Sequence, residues 1–169
     1  MNKEVIQTLK EDAVSKGLCA TWESKFKQEM SIETLARMYM KGIDFCISSD
    51  YPTLAFLRKE FKGICEPYGI FIDDKVMVTN IRKIVLNGDC RAFLEYDKYT
   101  VAQVFVRHTS KASINVSEHS IVTVDAFDDT ELVVAVSGGA DVSVNLYGNA
   151  KIECIGIGAK VKFMQRETY

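Results

Sequence analysis

Hydrophobic and polar residues alternate in a fixed frame over the second part of the chain. From about residue 90 the sequence can be written in rows of ten, in which the second, fourth and sixth positions are apolar. Across seven rows, twenty of these twenty-one positions are apolar, from Ala92, Leu94 and Tyr96 in the first row to Ile152 and Cys154 in the last. Alternation with a period of two predicts strands that bury one face.

The other positions of each row predict a turn. The eighth and ninth positions are mostly turn-forming residues, as in Asp128-Asp129 and Gly138-Gly139, and the tenth is small. Constant spacing favours a β-solenoid, in which every unit turns the chain in the same sense, with about 20 or about 30 residues per coil. An antiparallel β-meander with hairpins is the alternative. Val161 and Phe163 leave the frame, which predicts that the repeat ends there.

Helical spacing replaces this alternation in the first part of the chain. Apolar residues recur three and four apart between capping and breaking residues, which predicts short helices. These helices are expected over residues 3–16 and 21–29, from Ser31 to Gly42, and from Asp50, as the N-cap, to Gly63. The predicted fold class is α+β, with a helical domain over residues 1–66 and a β-repeat domain over residues 67–169.

With about 20 residues per coil, the outward positions of the repeat form two surfaces. One surface is aromatic and polar, and Phe127 and Tyr147 are predicted to stack in one column on it. Such rings, together with hydrogen-bonding groups, can bind a nucleotide or a sugar. The candidate ligand-binding residues are Phe105, Arg107, Phe127, Asn145 and Tyr147.

The opposite surface is apolar towards the C-terminal end of the repeat. An apolar outward patch on a small protein usually contacts another surface, and an open solenoid end offers unpaired strand edges. We therefore expect a homo-oligomer, with a trimer around the solenoid axis as one arrangement. The candidate interface residues are Val133, Ala135, Ile155 and Ile157.

Composition and charge exclude several classes of function. The 169 residues include 21 basic and 23 acidic side chains, so binding to nucleic acid through charge is not expected. No uncharged stretch approaches the roughly 20 residues of a membrane span, and the first residues lack the apolar segment of a secretory signal. Five widely spaced cysteines without a C-x-x-C pair predict reduced thiols in a cytoplasmic protein.

The titratable residues of the repeat do not form a recognisable catalytic motif. His108, His119 and the Asp128-Asp129 pair fall at predicted corners, where exposed turn residues account for them. P-loop, G-x-G-x-x-G, H-E-x-x-H and G-x-S-x-G strings are absent from the sequence. We therefore expect no catalytic residue, no metal and no cofactor, and a protein that is not an enzyme.

One stretch carries a family resemblance. It reads Y-M-K-G-I-D-F-C-I-S-S-D-Y-P, from Tyr39 to Pro52. Together with the β-rich C-terminal part, it resembles a family of proteins encoded by gut Bacteroides genomes and their prophages. The resemblance implies a bacterial or phage setting, in the cytoplasm or in a virion. Two functions stay open: an oligomeric protein–protein interaction module, and a phage anti-defence protein that sequesters a small ligand such as a nucleotide signal or a glycan.

Overall fold

The structure is a computed structural model that describes residues 3–155 and 160–169. The chain divides into two compact units, residues 1–68 and residues 69–169. Within the described ranges, every helix is too short or too polar to cross a membrane. Each unit is described separately below.

Short helices build the first unit. They are α1 (Lys3–Ser15), α2 (Ala20–Glu23), α3 (Ile32–Lys41), α4 (Ile43–Ser48) and α5 (Leu54–Phe56), which continues as a π-helical turn (Leu57–Phe61) and is followed by a 3-10 turn (Glu66–Tyr68). Ser31 caps α3 as predicted, because its side chain accepts a hydrogen bond from the Thr34 N–H. Gly42 follows the last residue of α3, also as predicted.

Three helices differ from the prediction. Helix α4 lies between Gly42 and Asp50, where no helix was expected. Helix α2 ends at Glu23, because Phe26 is the one apolar residue between positions 24 and 29 and so little burial would stabilise further turns. Asp50 does not cap α5: it adopts a left-handed φ of 43° and ends α4, where the Tyr51 N–H donates to the Cys46 carbonyl at 2.8 Å. The cap of α5 is Thr53, whose side chain accepts from the Phe56 N–H.

The second unit consists of strands that alternate between two sheets. They are β1 (Ile70–Ile72), β2 (Lys75–Thr79), β3 (Lys83–Asn87), β4 (Arg91–Tyr96), β5 (Val101–Val106), β6 (Lys111–Val116), β7 (Ile121–Ala126), β8 (Glu131–Val136), β9 (Asp141–Tyr147), β10 (Lys151–Ile155) and β11 (Lys160–Arg166). The first sheet has the order β1-β3-β5-β7-β9-β11, and the second has the order β2-β4-β6-β8-β10.

Neighbouring strands in both sheets run parallel, which confirms the β-solenoid and excludes the meander. Val104 pairs with Val124, and Val124 with Val144, so each regular coil consists of two rows of the sequence pattern. Inward side chains stack on one another in columns between the two sheets, and these columns together form a single apolar core. Like therefore packs on like, as the row pattern predicts.

The corners share one conformation. In the six rows whose eighth residue the structure describes, that residue has a left-handed φ between 58° and 65°. These residues are Lys98, His108, Glu118, Asp128, Gly138 and Gly148. The tenth residue is small and is buried inside the turn at Ser110, Ser120 and Thr130, whereas Thr100 is half-buried.

The terminal coils depart from this two-row spacing. In the first coil of the second sheet, β2 pairs with β4 in a register that sets Lys75 beside Arg91, so this coil is shorter than two rows. At the other end, Val161 pairs with Val142 and Phe163 with Val144, which leaves the coil one residue short of two rows. The prediction that the repeat ends at these residues was therefore wrong: the missing residue shifts the frame, and the ladder continues through β11.

Candidate functional site

The predicted ligand-binding residues lie on the outer side of the first sheet, in two neighbouring columns. The Phe127 and Tyr147 rings stack with centroids 4.7 Å apart and planes 10° from parallel, so the predicted stack is confirmed. The Tyr169 ring lies against the edges of both rings, and its centroid is 5.1 Å from that of Phe127 and 5.4 Å from that of Tyr147. Burial, and then the nearby Asp125 carboxylate, raise the pKa of the Tyr147 phenol.

The polar members of this surface are occupied within the columns. The Asn145 side-chain amide donates to Asp125 Oδ1 at 2.7 Å and accepts from Arg166 Nε at 3.2 Å. Asn145 and Tyr147 are half-buried, whereas Phe127 is only 6% exposed. A ligand would therefore have to displace Tyr169 or Arg166 to contact the stack or the amide.

Phe105 and Arg107 correct the expectation of an open face, because they are 2% and 3% exposed. Val85 and Asn87, which precede them by one coil on the same side of the sheet, are also fully buried. Arg107 Nη1 donates to Asn87 Oδ1 at 3.4 Å. The sequence does contain a sign that this region is covered: Val85 and Phe105 are both apolar, although they occupy neighbouring outward positions. The row pattern alone predicts that such positions are exposed.

The outer face of the second sheet carries three columns, each with one residue from every strand. The basic column holds Lys75, Arg91, Lys111, Glu131 and Lys151. The central column holds Met77, Phe93, Ser113, Val133 and Glu153. The distal column holds Thr79, Glu95, Asn115, Ala135 and Ile155.

Apolar side chains on this face are accessible. Met77 is 82% exposed and Ile155 is 55% exposed, while Val133 and Ala135 are half-buried. Three of the four candidate interface residues thus share one face, and Ile157 lies outside the described residues. Sequence reasoning missed Met77, because the first coil is shorter than the rows of ten and falls outside their frame.

Charge on this face is concentrated along the basic column. Lys111 forms an ion pair with Glu131, and Arg91 pairs with Asp89 at 2.9 Å. The hydrogen bond from Lys111, supported by the charges of Lys111, Lys151 and Arg91, holds the pKa of Glu131 below its usual range. Because the basic column contains four cations and one carboxylate, this edge of the face is positively charged.

The corner histidines have structural partners. The ring nitrogen Nδ1 of His108 accepts a hydrogen bond from the backbone N–H of Gly88 at 3.0 Å. The backbone N–H of His108 donates to Asp128 Oδ2 at 2.8 Å. The His119 ring stacks on Tyr99 at 5.2 Å. Among the described residues, His, Cys, Asp and Glu side chains do not gather in a group that could hold a metal ion.

Comparison of the chain with protein-family models, with curated proteins and with solved structures gave no match.

Proposed function

We propose that this protein is a non-enzymatic interaction module that associates with a second copy of itself through the outer face of the second sheet. The setting is the bacterial or phage one that the stretch from Tyr39 to Pro52 implies. The carrying observation is Met77, which is 82% exposed and lies in line with the half-buried Phe93 and Val133 in the central column. Such a side chain gains most from a partner that removes it from water.

Charge selects the orientation of the two copies. A two-fold axis parallel to the solenoid axis sets strand starts against strand ends, so that the basic column faces the partner's distal column and the central column faces itself. Arg91 then lies at the same level as the partner's Glu95, twice per dimer. A two-fold axis along the strands would instead place one basic column against the other, where the cations repel.

The size of the face sets the expected affinity. Five strands about 4.8 Å apart and about five residues wide cover roughly 24 Å by 16 Å, or about 400 Å² per chain. This is about half of what each partner buries in a standard interface, so we expect a reversible dimer in the micromolar range or weaker.

Sedimentation equilibrium over micromolar to millimolar concentrations tests this function. The wild-type chain should shift from 19.0 kDa towards twice that mass as its concentration rises. Arg91→Glu or Glu95→Arg alone should weaken association about tenfold, because two pairs become repulsive, and the double exchange should restore it. Met77→Asp should abolish association.

Arg82→Glu is the matched control, since Arg82 is exposed but precedes β3 and lies outside the face. A chain that stays at 19.0 kDa at every concentration would refute self-association. A dimer that the double exchange fails to restore, or a species of three chains, would refute the face-to-face arrangement.

Sequestration of a small ligand is the second candidate, favoured by the Phe127–Tyr147 stack. Its parallel rings, with the half-buried Asn145 in the adjacent column, suit a planar base or a sugar once Tyr169 moves aside. Under this function, Phe127→Ala combined with Tyr147→Ala abolishes binding of cyclic nucleotides or oligosaccharides measured by calorimetry and leaves sedimentation unchanged. Absence of binding by the wild-type chain would remove it.

A further inference from the structure

The helical unit contains a cavity of about 210 Å³ that is open to solvent on one side and is lined by residues of α1 to α4, of the loops between them and of the π-helical turn. Its fifteen lining residues include no charged side chain and no amide, and tyrosine supplies the only hydroxyl groups. Six of them are aromatic: Trp22, Phe26, Tyr39, Phe45, Tyr51 and Phe61. Rings of this kind offer flat apolar contact area to a bound molecule.

Two polar groups at the wall are already paired within the helical unit. The Tyr51 hydroxyl donates to the Leu9 carbonyl at 2.9 Å, and the Gly42 N–H donates to the Met38 carbonyl at 2.9 Å. Burial raises the pKa of the Tyr51 phenol, which keeps that group neutral. A charged or strongly polar occupant would lose its hydration here without regaining hydrogen bonds, which disfavours it by several kcal/mol.

Trp22 forms part of the wall and is held in place. The Lys25 ammonium lies 3.7 Å from the centroid of its ring, and the adjacent Glu23 pairs with Lys10 of α1 at 3.1 Å. These contacts hold the short helix α2, and with it the Trp22 ring, at the wall of the cavity. Drug-sized ligands occupy pockets of about 300 Å³ and more, whereas benzene fits an apolar cavity of about 150 Å³.

We propose that this cavity is a binding site for a small uncharged apolar molecule, about the size of one substituted aromatic ring. The volume, the aromatic lining and the absence of charged side chains among the lining residues all select this class. The site lies wholly within the helical unit, so it is independent of the solenoid face and of the dimer proposed above.

The full-length chain reports on its own cavity, because Trp22 is the only tryptophan in the sequence. Toluene is the neutral probe and benzoate is its charged counterpart of similar size. Toluene should shift the Trp22 emission in a saturable manner and raise the melting temperature, as expected for a ligand that binds only the folded state. Benzoate should bind at least about tenfold more weakly.

Two variants locate the probe. Cys46→Met adds a flexible side chain at a buried lining position and should weaken toluene binding by about tenfold, whereas Val14→Met, at a 41% exposed position of α1 outside the lining, should leave it unchanged. Gly42→Ala serves if Cys46→Met does not fold. Its φ of −104° suits alanine, and its new methyl group would lie 3.6 Å from the Trp22 ring without a clash.

Circular dichroism establishes that each variant is folded before its titration is interpreted. Saturable toluene binding that is weakened by whichever cavity variant folds, and retained by Val14→Met, supports the site. The proposal is overturned by an unsaturable or absent response to toluene, by benzoate binding as tightly as toluene, or by undiminished toluene binding in the folded cavity variant.

Discussion

Replacing Ile114 by alanine tests how tightly the solenoid core is locked. Ile114 is completely buried on β6, the middle strand of the second sheet. In its column it lies between Leu94 of the preceding coil and Val134 of the following one. Both neighbours are fixed by parallel ladders with about 4.8 Å between strands, so they cannot move into the space that the mutation creates.

The expected loss of unfolding free energy is large because the neighbouring side chains cannot move into the cavity. Substitutions of a buried Ile or Leu by Ala cost about 2–5 kcal/mol, with the larger values where the cavity stays open. We expect about 4 kcal/mol for Ile114→Ala, a large fraction of the roughly 5–15 kcal/mol that stabilises a typical domain. Ile152→Ala is the matched control: Ile152 is half-buried on β10, the outermost strand of the same sheet, and should lose about 1 kcal/mol.

Urea unfolding followed by far-ultraviolet circular dichroism measures both values. With a slope of about 2 kcal/mol per molar, the midpoint for Ile114→Ala should fall by about 2 M, and that for Ile152→Ala by about 0.5 M. Equal losses for the two variants, or a loss below about 1.5 kcal/mol for Ile114→Ala, would refute the reasoning that the central coils cannot collapse around a cavity.

Three further outcomes are expected. Gly138→Ala should cost about 2 kcal/mol and Gly148→Ala about 1 kcal/mol in urea unfolding, because both have φ +65° but the new Cβ would lie 3.1 Å from the Glu118 backbone nitrogen in the first case and 3.4 Å from that of Asp128 in the second. Glu131→Gln should lower stability at neutral pH. Since the folded pKa of Glu131 is depressed, its contribution is present above the unfolded value and lost as pH falls through the folded value, so the two melting curves should converge in acid. The exposed thiols Cys19 and Cys154 should react with Ellman's reagent in the native protein, and the other three cysteines only after unfolding.

The solenoid could be predicted from the sequence because its period is visible without knowledge of any contact. An inward position such as Val104, Val124 or Val144 recurs in every second row, and the same side of the strand is buried each time. The terminal coils could not be predicted in this way. A single missing residue before β11 moves Val161 out of the row frame although its backbone still pairs with Val142.

Burial of outward residues depends on the packing of the folded chain and is poorly encoded in alternation. Phe105 and Arg107 occupy outward positions in the pattern, yet both are buried, whereas Tyr147 in the same surface is half-buried. The cavity beside Trp22 is hidden for the same reason: apolar spacing predicts that residues such as Leu35 and Tyr39 turn inward, but it does not reveal how completely their side chains fill the interior.

The corners explain why the central rows keep their constant length. The ninth residue of a row donates its N–H to the carbonyl of the eighth residue one coil earlier, as His119 does to Lys98 at 2.9 Å and Asp129 does to His108 at 3.0 Å. An inserted residue would break this bond and the strand ladder on both sides of it. In a terminal coil, the described strands pair with a neighbour on one side only, and the shortened coils occur there. Backbone hydrogen bonds and the inward columns thus fix the length of each coil. The outer columns, such as the one from Met77 to Glu153, do not take part in setting that length and are the part of the solenoid that a partner can contact.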